Sequence, residues 1–298
     1  MEVSKINVLS LFDGMSCAQI AINRAGINYE KYYSSEVYDK SIYITNKNYP
    51  NTIQLGDVRD IDEYVINKID NIDLMIFGFP CKNLSRTVIN NPNHNQGLKG
   101  SQSSLFYEAI RIMNIVKPKY FLVENVESMK DEDRDIISKC LKVEPIMIDS
   151  SLFSAQSRKR YYWTNISFNK DVKNNDFKIV DIIENDVDEK YWYKCDFKYN
   201  GKNEGQVAEL DINGHDIMKR VYGIYGKCPT LTAVVGGNQQ KKIYYNGRCR
   251  KLTPTEYEKL QTVPVGYTKG VSDTHRYRML GDGFTVDVIA HILKGLKE

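Results

Sequence analysis

Short apolar runs alternate with helical patterns along the first half of the chain. The candidate strands are NVLSLF, YYSSEV, TIQL, DLMIF, YFLVEN, PIMID and RYYWTNI. Between them lie the candidate helices CAQIAINRA, YDKSIYITNK, SSLFYEAIRIMNIV and DRDIISKCL. This alternation is typical of an open α/β sheet with helices on both faces, in which ligands bind at the carboxyl ends of the strands.

The alternation ends at about residue 167, where the sequence becomes polar and rich in Tyr, Asn and Gly. Near the carboxyl terminus, apolar residues between Phe284 and Leu296 recur at helical spacing. This spacing predicts a last helix that packs on the first domain. We therefore expect a discontinuous first domain, residues 1–167 plus 275–298, and a smaller second domain, residues 168–274.

Composition excludes several classes of protein. The six cysteines have no close pairing and the four histidines have no ligand spacing, so we expect no metal site. The first residues lack the features of a signal peptide, and no apolar run has membrane-spanning length. These features favour a soluble, cytoplasmic protein with reduced thiols. The net charge of +3 is too small to demonstrate nucleic-acid binding, although residues 241–251 contain several basic residues and no acidic one.

Three segments contain candidate catalytic residues. Cys81 follows the apolar run DLMIF, where a thiol can act as a nucleophile. Glu124 ends the apolar run FLVEN, where burial tends to raise a carboxyl pKa and lets the group donate a proton. Arg158 and Arg160, in SAQSRKRYYW, can supply positive charge that lowers a thiol pKa.

A second group of residues predicts an adenosine site. Gly14 lies in the turn after the first strand, where the lack of a side chain lets a ligand approach the backbone. The rest of the GxGxxG fingerprint is missing, which argues against a dinucleotide. Glu36 ends the second strand and can accept hydrogen bonds from ribose hydroxyls, and Asp57 ends the third and can accept one from an adenine amino group.

These segments, in this order, resemble the cytosine carbon-5 DNA methyltransferases. The resemblance covers about residues 6–167 and 250–298, through NVLSLFDGMSCAQIAINRAG, the Cys81 segment, FLVENVESM, SAQSRKRYYW and GDGFTVDVI. It implies a Rossmann-like class I methyltransferase sheet with a smaller target-recognition domain. It also implies methyl transfer from S-adenosyl-L-methionine to carbon 5 of a cytosine in a specific duplex DNA sequence, after Cys81 adds to carbon 6 of a flipped-out base.

The resemblance assigns site residues by position. The catalytic residues are Cys81, Glu124, Arg158 and Arg160. The cofactor-binding residues are Phe12, Asp13, Gly14, Glu36, Val37, Asp57, Val58, Pro80, Leu105, Asp282 and Phe284. Two positions depart from the usual pattern: Asp282 stands where the family has Asn, and Lys82 stands where it has Gln. The sequence after Cys81 and the segment ENVESMKDEDRDI are most similar to the de novo animal branch.

We expect the second domain to read DNA from the major groove through TLTAVVGGNQQKK and the basic run after it. The predicted DNA-binding residues are Lys82, Ser85, Thr230, Leu231, Gln239, Gln240, Lys241, Lys242, Arg248 and Arg250. The expected partner is double-stranded DNA, bound by a monomer in a bacterial or phage-infected cell. A cognate restriction endonuclease could accompany it.

Three other functions fit parts of the sequence. A tRNA cytosine-5 methyltransferase shares the catalytic motifs but usually has Cys-Phe-Thr in the target domain, which this chain lacks. A catalytically silent DNA-binding module would not need the four residues Cys81, Glu124, Arg158 and Arg160. A nucleotide-dependent oxidoreductase is disfavoured by the missing glycine fingerprint.

Overall fold

The structure, a computed structural model, describes residues 5–84, 96–234 and 236–297. It divides into two compact units: residues 1–148, 159–169 and 289–298 form the first, and residues 149–158 and 170–288 form the second. The predicted bounds place residues 168–169 in the second domain, whereas they belong to the first unit. They also place two longer segments, 149–158 and 275–288, in the first domain, whereas these belong to the second unit. The physical reason is a set of side-chain hydrogen bonds, described below, that joins both segments to residues 231 and 261.

The described residues form fourteen strands. In chain order they are β1 (Ile6–Leu11), β2 (Tyr29–Ser35), β3 (Ile53–Gln54), β4 (Leu74–Phe77), β5 (Tyr120–Val126), β6 (Ile146–Asp149), β7 (Gln156–Ser157), β8 (Lys159–Thr164), β9 (Phe197–Tyr199), β10 (Gln206–Leu210), β11 (Arg220–Gly223), β12 (Cys228–Pro229), β13 (Lys242–Tyr245) and β14 (Arg248–Lys251). The α-helices are α1 (Cys17–Arg24), α2 (Asp39–Asn48), α3 (Glu63–Ile66), α4 (Leu105–Val116), α5 (Asp131–Leu141), α6 (Asp216–Lys219), α7 (Pro254–Leu260), α8 (Asp273–Asp282) and α9 (Val286–Leu293).

The first unit contains a seven-stranded sheet with the order β3-β2-β1-β4-β5-β8-β6. Strands β1 to β5 are parallel to their neighbours, and β8 is antiparallel to β5. Strand order reverses between β1 and β4, which is where open sheets of this kind bind ligands. All seven predicted strands are present, and so are the four predicted helices. The short helix α3 was not predicted.

The buried strands explain why the predicted pattern was clear. All four residues of β4, LMIF, are fully buried, as expected for a central parallel strand with both faces covered. Helix α4 buries Phe106, Ala109 and Ile112, which recur at helical spacing. These side chains join one apolar core with Leu9 of β1.

The second unit contains a five-stranded sheet of order β14-β13-β11-β10-β9 and a small pair, β12 and β7. Its strands are short and mostly antiparallel, so no regular alternation identified them in the sequence. Helix α7 has clear sequence signals: the Thr253 side chain accepts from the backbone N–H of Glu256, the Glu256 carboxylate accepts from the N–H of Thr253, and Pro254 occupies the first turn.

Candidate active site

Most of the predicted catalytic and cofactor-binding residues lie at the carboxyl ends of five parallel strands in the first unit. Phe12 to Gly14 follow β1, Glu36 follows β2, and Cys81 lies four residues after β4. Glu124 lies near the end of β5. Because these strands are parallel and hydrogen-bonded neighbours, their following residues lie at one edge of the sheet.

The turn after β1 has an uncommon backbone. Phe12, Gly14 and Ser16 all have left-handed conformations, with φ of 53°, 59° and 59°. A positive φ in an aromatic residue is sparsely populated and marks a constrained site. The side chain of Phe12 packs partly against the core of the first unit.

Asp13 explains how this turn is held. Its buried carboxylate accepts hydrogen bonds from the hydroxyls of Ser10 (2.6 Å), Tyr32 (2.7 Å), Ser34 (3.0 Å) and Ser16. Burial raises the pKa of this carboxyl group, and the four hydroxyl donors oppose that shift. The prediction that Asp13 contacts the cofactor therefore needs correction. Its side chain faces these hydroxyls in the interior, its backbone N–H donates to the Ser35 carbonyl at 3.1 Å, and its carbonyl accepts from the N–H of Ser16 at 3.0 Å.

Glu36 joins the turn after β1 to the end of β2. Its Oε2 accepts the backbone N–H of Gly14 at 2.8 Å, and its Oε1 accepts those of Val37 and Tyr38, both at 2.7 Å. The side chain of Val37 is 65% exposed beside this carboxylate. An exposed apolar side chain next to a fixed carboxylate is an arrangement that suits a ligand with a flat ring and hydroxyl groups.

Asp57 and Val58 follow β3. The Asp57 carboxylate accepts the backbone N–H of Arg59 at 2.9 Å and its Nε at 3.0 Å. The Arg59 guanidinium lowers the pKa of Asp57. The side chain of Val58 is 3% exposed and lies in the core, so a cofactor contact at this position would be made by the backbone.

The segment that contains Cys81 is bonded to neighbouring elements through its backbone. The Asn125 Nδ2 donates to the carbonyl oxygen of Phe79 at 3.0 Å, and the Ser103 hydroxyl donates to that of Pro80 at 3.1 Å. Cys81 itself is half-buried, and Lys82 is exposed. The predicted DNA contact Ser85 lies outside the described residues.

Glu124 and Arg160 form an ion pair. The Arg160 Nε lies 2.9 Å from the Glu124 Oε1, and each side chain is only 12% exposed. Strand register explains the pair, since Val126 at the end of β5 lies opposite Arg160 near the start of β8. The carboxyl group is therefore held in a fixed direction. Leu105, at the start of α4, packs partly against the core of the same unit.

Arg158 belongs to the second unit and has a different environment from Arg160. It is 4% exposed, and its guanidinium donates to the carbonyl oxygens of Leu231 (2.8 Å), Gly281 (3.2 Å) and Gly283 (3.2 Å). These bonds give Arg158 a positioning function for the backbone within this unit. The prediction that it acts on the base or on the Cys81 segment has no support from these contacts.

Two glutamines complete this network and were missed in the sequence. The Gln156 Oε1 accepts the N–H of Leu231 at 2.8 Å, and its Nε2 donates to the Gln261 Oε1 at 2.9 Å. The Gln261 Nε2 in turn donates to the carbonyl oxygen of Gly283 at 3.0 Å. In the sequence, Gln156 is the glutamine of SAQSRKR and Gln261 is the glutamine of KLQTV. Both side chains are fully buried. The segment with the predicted cofactor residues Asp282 and Phe284 is thus fixed on both sides of Asp282.

The predicted DNA-reading residues divide into exposed and buried groups. Gln239 and Arg248 are exposed. Thr230 is half-buried and donates its hydroxyl to the carbonyl oxygen of Ser157 at 2.8 Å. The side chains that need correction are fully or nearly buried, at 9% exposure or less: Leu231, Gln240, Lys241, Lys242 and Arg250.

The buried basic residues have partners in the second unit. Arg250 donates to both carboxylate oxygens of Glu256, at 2.6 and 2.8 Å, and both side chains are fully buried. The Lys242 ammonium donates to the carbonyl oxygens of Asn238 (2.5 Å) and Gln240 (3.0 Å), and burial lowers its pKa to about 8. Charges with interior partners are not available to DNA, so these residues support the fold of the unit.

Arg248 is exposed, but its charge is also paired. Its guanidinium binds the Glu189 carboxylate at 2.8 and 2.9 Å and lies 4.4 Å from the centre of the Trp192 ring. A contact with phosphate would have to compete with Glu189. Among the described side chains, no group of three or more His, Cys, Asp or Glu is arranged to hold a metal ion. In the same part of the chain, no helix is long and apolar enough to span a membrane.

Comparison with known proteins identifies the family. The family model of C-5 cytosine-specific DNA methylases matches residues 6–298. The chain belongs to this family. The resemblance inferred from the motifs is therefore confirmed, and the chain is an enzyme of the cytosine-5 DNA methyltransferase class.

Relatives match along their whole length. The type II methyltransferase M.Bsp6I of Bacillus sp. (strain RFL6) is 26% identical over 323 residues, covering 98% of each chain. The orphan methyltransferase M.SPBetaI of Bacillus phage SPbeta is 23% identical and covers 99% of this chain and 98% of its own. The structure of the Entamoeba histolytica methyltransferase EhMeth has a TM-score of 0.70 at 19% identity, with 98% of both chains covered. This likeness confirms the predicted Rossmann-like methyltransferase fold.

Proposed function

We propose that the chain transfers a methyl group from S-adenosyl-L-methionine to carbon 5 of a cytosine in a specific duplex DNA sequence, with Cys81 as the nucleophile. The observation that supports this most is the edge of the sheet in the first unit. There, the Cys81 segment follows β4 and the Glu124–Arg160 pair lies at the neighbouring strands β5 and β8. A nucleophile and a fixed carboxyl group on adjacent strands suit attack on a ring.

Carbon 5 of cytosine is a weak nucleophile, so the ring must first be activated. In the proposed reaction, the Cys81 thiolate adds to carbon 6 and its electron pair forms the new C–S bond. The electrons of the C5–C6 double bond then make carbon 5 nucleophilic. Carbon 5 would then take the methyl group as its bond to the cofactor sulfur breaks, and the bonding electron pair would stay on that sulfur as a neutral thioether. A base would then remove the proton from carbon 5, the double bond would re-form and the thiolate would leave.

Glu124 would act on ring nitrogen 3 as a hydrogen-bond or proton donor, which draws electron density away from carbon 6. The Arg160 side chain holds the carboxyl group in one direction through the 2.9 Å contact. The rest of the guanidinium would bind the carbonyl oxygen of the base. Because the target atom lies inside a duplex, the base has to rotate out of the helix before Cys81 reaches it.

The residues at the edge of the sheet fit an adenosylmethionine cofactor. Glu36 would bind a ribose hydroxyl through Oε2, which accepts one backbone N–H and keeps one acceptor site, whereas Oε1 already accepts two. Val37 would contact the adenine ring, and Asp57 would accept its amino group. When bound, this cofactor supplies the electrophilic methyl group.

The biological setting follows from the relatives by analogy. One relative is named as a type II methyltransferase and another as an orphan phage methyltransferase. We infer that this chain modifies DNA in a bacterial or phage-infected cell, as a monomer, either with a cognate restriction endonuclease or alone.

The test uses tritiated adenosylmethionine with duplex DNA and, separately, with tRNA. Label should enter cytosine of the duplex. Cys81→Ser should abolish transfer while cofactor affinity, measured by calorimetry, stays nearly unchanged, because the hydroxyl is a weaker nucleophile of similar size. A duplex containing 5-fluorocytosine should trap the wild type covalently, since fluorine blocks the final elimination. Labelling of tRNA but not of DNA would identify tRNA as the substrate. Substantial turnover by Cys81→Ser would exclude the covalent mechanism.

A further inference from the structure

Three consecutive carbonyl groups of the Cys81 segment accept hydrogen bonds from specific donors. The Phe79 carbonyl accepts from the Asn125 side chain at 3.0 Å, and the Cys81 carbonyl accepts from the backbone N–H of Leu84 at 2.9 Å. Between them, the Pro80 carbonyl accepts from the Ser103 hydroxyl at 3.1 Å. The Pro80 carbonyl belongs to the peptide group that also contains the Cys81 nitrogen. The Ser103 hydroxyl therefore binds the peptide group that directly precedes the Cys81 Cα, the atom that carries the thiol side chain.

Ser103 is itself held firmly. It is fully buried, and its backbone carbonyl accepts from the N–H of Phe106 at 3.1 Å, at the start of α4. Phe106 is fully buried in the core of the first unit. A donor fixed by the core can transmit that rigidity to the peptide group it binds.

A second contact joins the same two segments. Gly100 packs so closely on the Asn83 side chain that a Cβ atom at position 100 would lie 2.2 Å from it. The backbone N–H of Gly97 also donates to the Asn83 carbonyl at 3.1 Å. The residues just before Ser103 thus pack directly on the residues just after Cys81, independently of the serine hydroxyl.

We propose that Ser103 is a positioning residue for Cys81: its hydroxyl fixes the Pro80–Cys81 peptide group and thereby the direction in which the thiol meets carbon 6 of the base. The inference rests on the proposed covalent mechanism. Ser103 acts through the peptide group and contacts no reactant. Without the hydroxyl, the peptide can rotate, and misplacement of a reacting atom by about 1 Å can reduce a rate roughly a hundredfold.

The experiment compares Ser103→Ala with Ser104→Ala. The adjacent Ser104 is a matched control, because its hydroxyl donates to the Ser101 carbonyl at 3.1 Å within its own turn. Two rates are measured for each protein: single-turnover methylation and the formation of the covalent complex with 5-fluorocytosine DNA. Both are normalised to the concentration of adenosylmethionine-binding sites determined by calorimetry, so that an unfolded fraction does not enter.

Ser103→Ala should lower both rates by about tenfold to a hundredfold, with cofactor affinity unchanged, and Ser104→Ala should match the wild type. A role in folding alone would reduce the number of binding sites and leave the normalised rates unchanged, which would overturn the proposal. Equal loss in both variants would overturn it as well. The proposed function fails separately, when the wild type neither methylates DNA nor forms the covalent complex.

Discussion

The two units of this protein differ in where they place the polar residues that the sequence predicted to be functional. In the first unit, Cys81, Glu124 and Glu36 lie where strand order requires, at the carboxyl edge of one parallel sheet. In the second unit, Lys242 and Arg250 were predicted to read DNA and instead lie in the interior with partners of their own.

The difference has a topological cause. Parallel strands must point in one direction, so the residues that follow them meet at one edge, and sequence order is enough to place them. Short antiparallel strands impose no such rule. Burial in the basic run of residues 241–251 does not even follow the alternation of a strand: Lys241 and Lys242 are both buried, and Arg248 is exposed while Arg250, two positions along the same strand, is buried. A concentration of charge in the sequence is therefore weaker evidence for a binding surface than a polar residue at the end of a parallel strand.

The largest effect is expected in the first unit. Glu124→Gln should lower the methylation rate by about 10²–10⁴-fold, because the amide cannot transfer a proton to ring nitrogen 3. The substitution also leaves Arg160 without its charged partner. Single-turnover methylation would measure the loss of rate.

Glu127→Gln is the matched control for this prediction, since it makes the same change three residues further along the chain, just beyond β5. Its methylation rate should equal that of the wild type. If Glu124→Gln behaved the same way, the Glu124–Arg160 pair would be a structural contact, and the agreement between strand order and function in the first unit would fail at its most important residue.

The sequence was sufficient for the sheet, the order of the motifs and the family, because each depends on local patterns and on strand direction. It was insufficient where a partner is distant in the chain. Asp13 looked like a cofactor contact, and only folding shows that hydroxyls from Tyr32 and Ser34 of the next strand surround its carboxylate. Arg158 and Arg160 are two residues apart and look equivalent, yet one binds carbonyl groups within the second unit and the other binds Glu124.

The second prediction compares two arginines of β14. Arg250→Ala should destabilise the protein by about 3–5 kcal/mol, because it leaves the Glu256 carboxylate buried without its partner. Arg248→Ala removes an ion pair of the same composition from the same strand, but this pair is exposed, and stability should change little. Urea unfolding of both variants measures the difference.

The same two variants also test the corrected role of Arg250. Its loss should lower the amount of active protein without changing the methylated sequence, as read by bisulfite sequencing of a random duplex library. A stable Arg250→Ala variant with a relaxed target sequence would show that Arg250 contacts DNA. The contrast between the two units would then no longer hold.

The smallest effect concerns the residues that could still read DNA. Gln239 is exposed, whereas its neighbour Gln240 is 8% exposed. A glutamine amide can bind an adenine edge with two hydrogen bonds, and such a contact contributes about 1–3 kcal/mol of discrimination. Gln239→Ala should therefore relax the target at one base pair by roughly 5- to 150-fold, and Gln240→Ala should not, when both are assayed on the same library. If Gln240→Ala relaxed the target and Gln239→Ala did not, exposure in the free protein would be a poor guide to DNA contact in this unit. If neither variant changed the target, base reading would belong to other residues of the second unit.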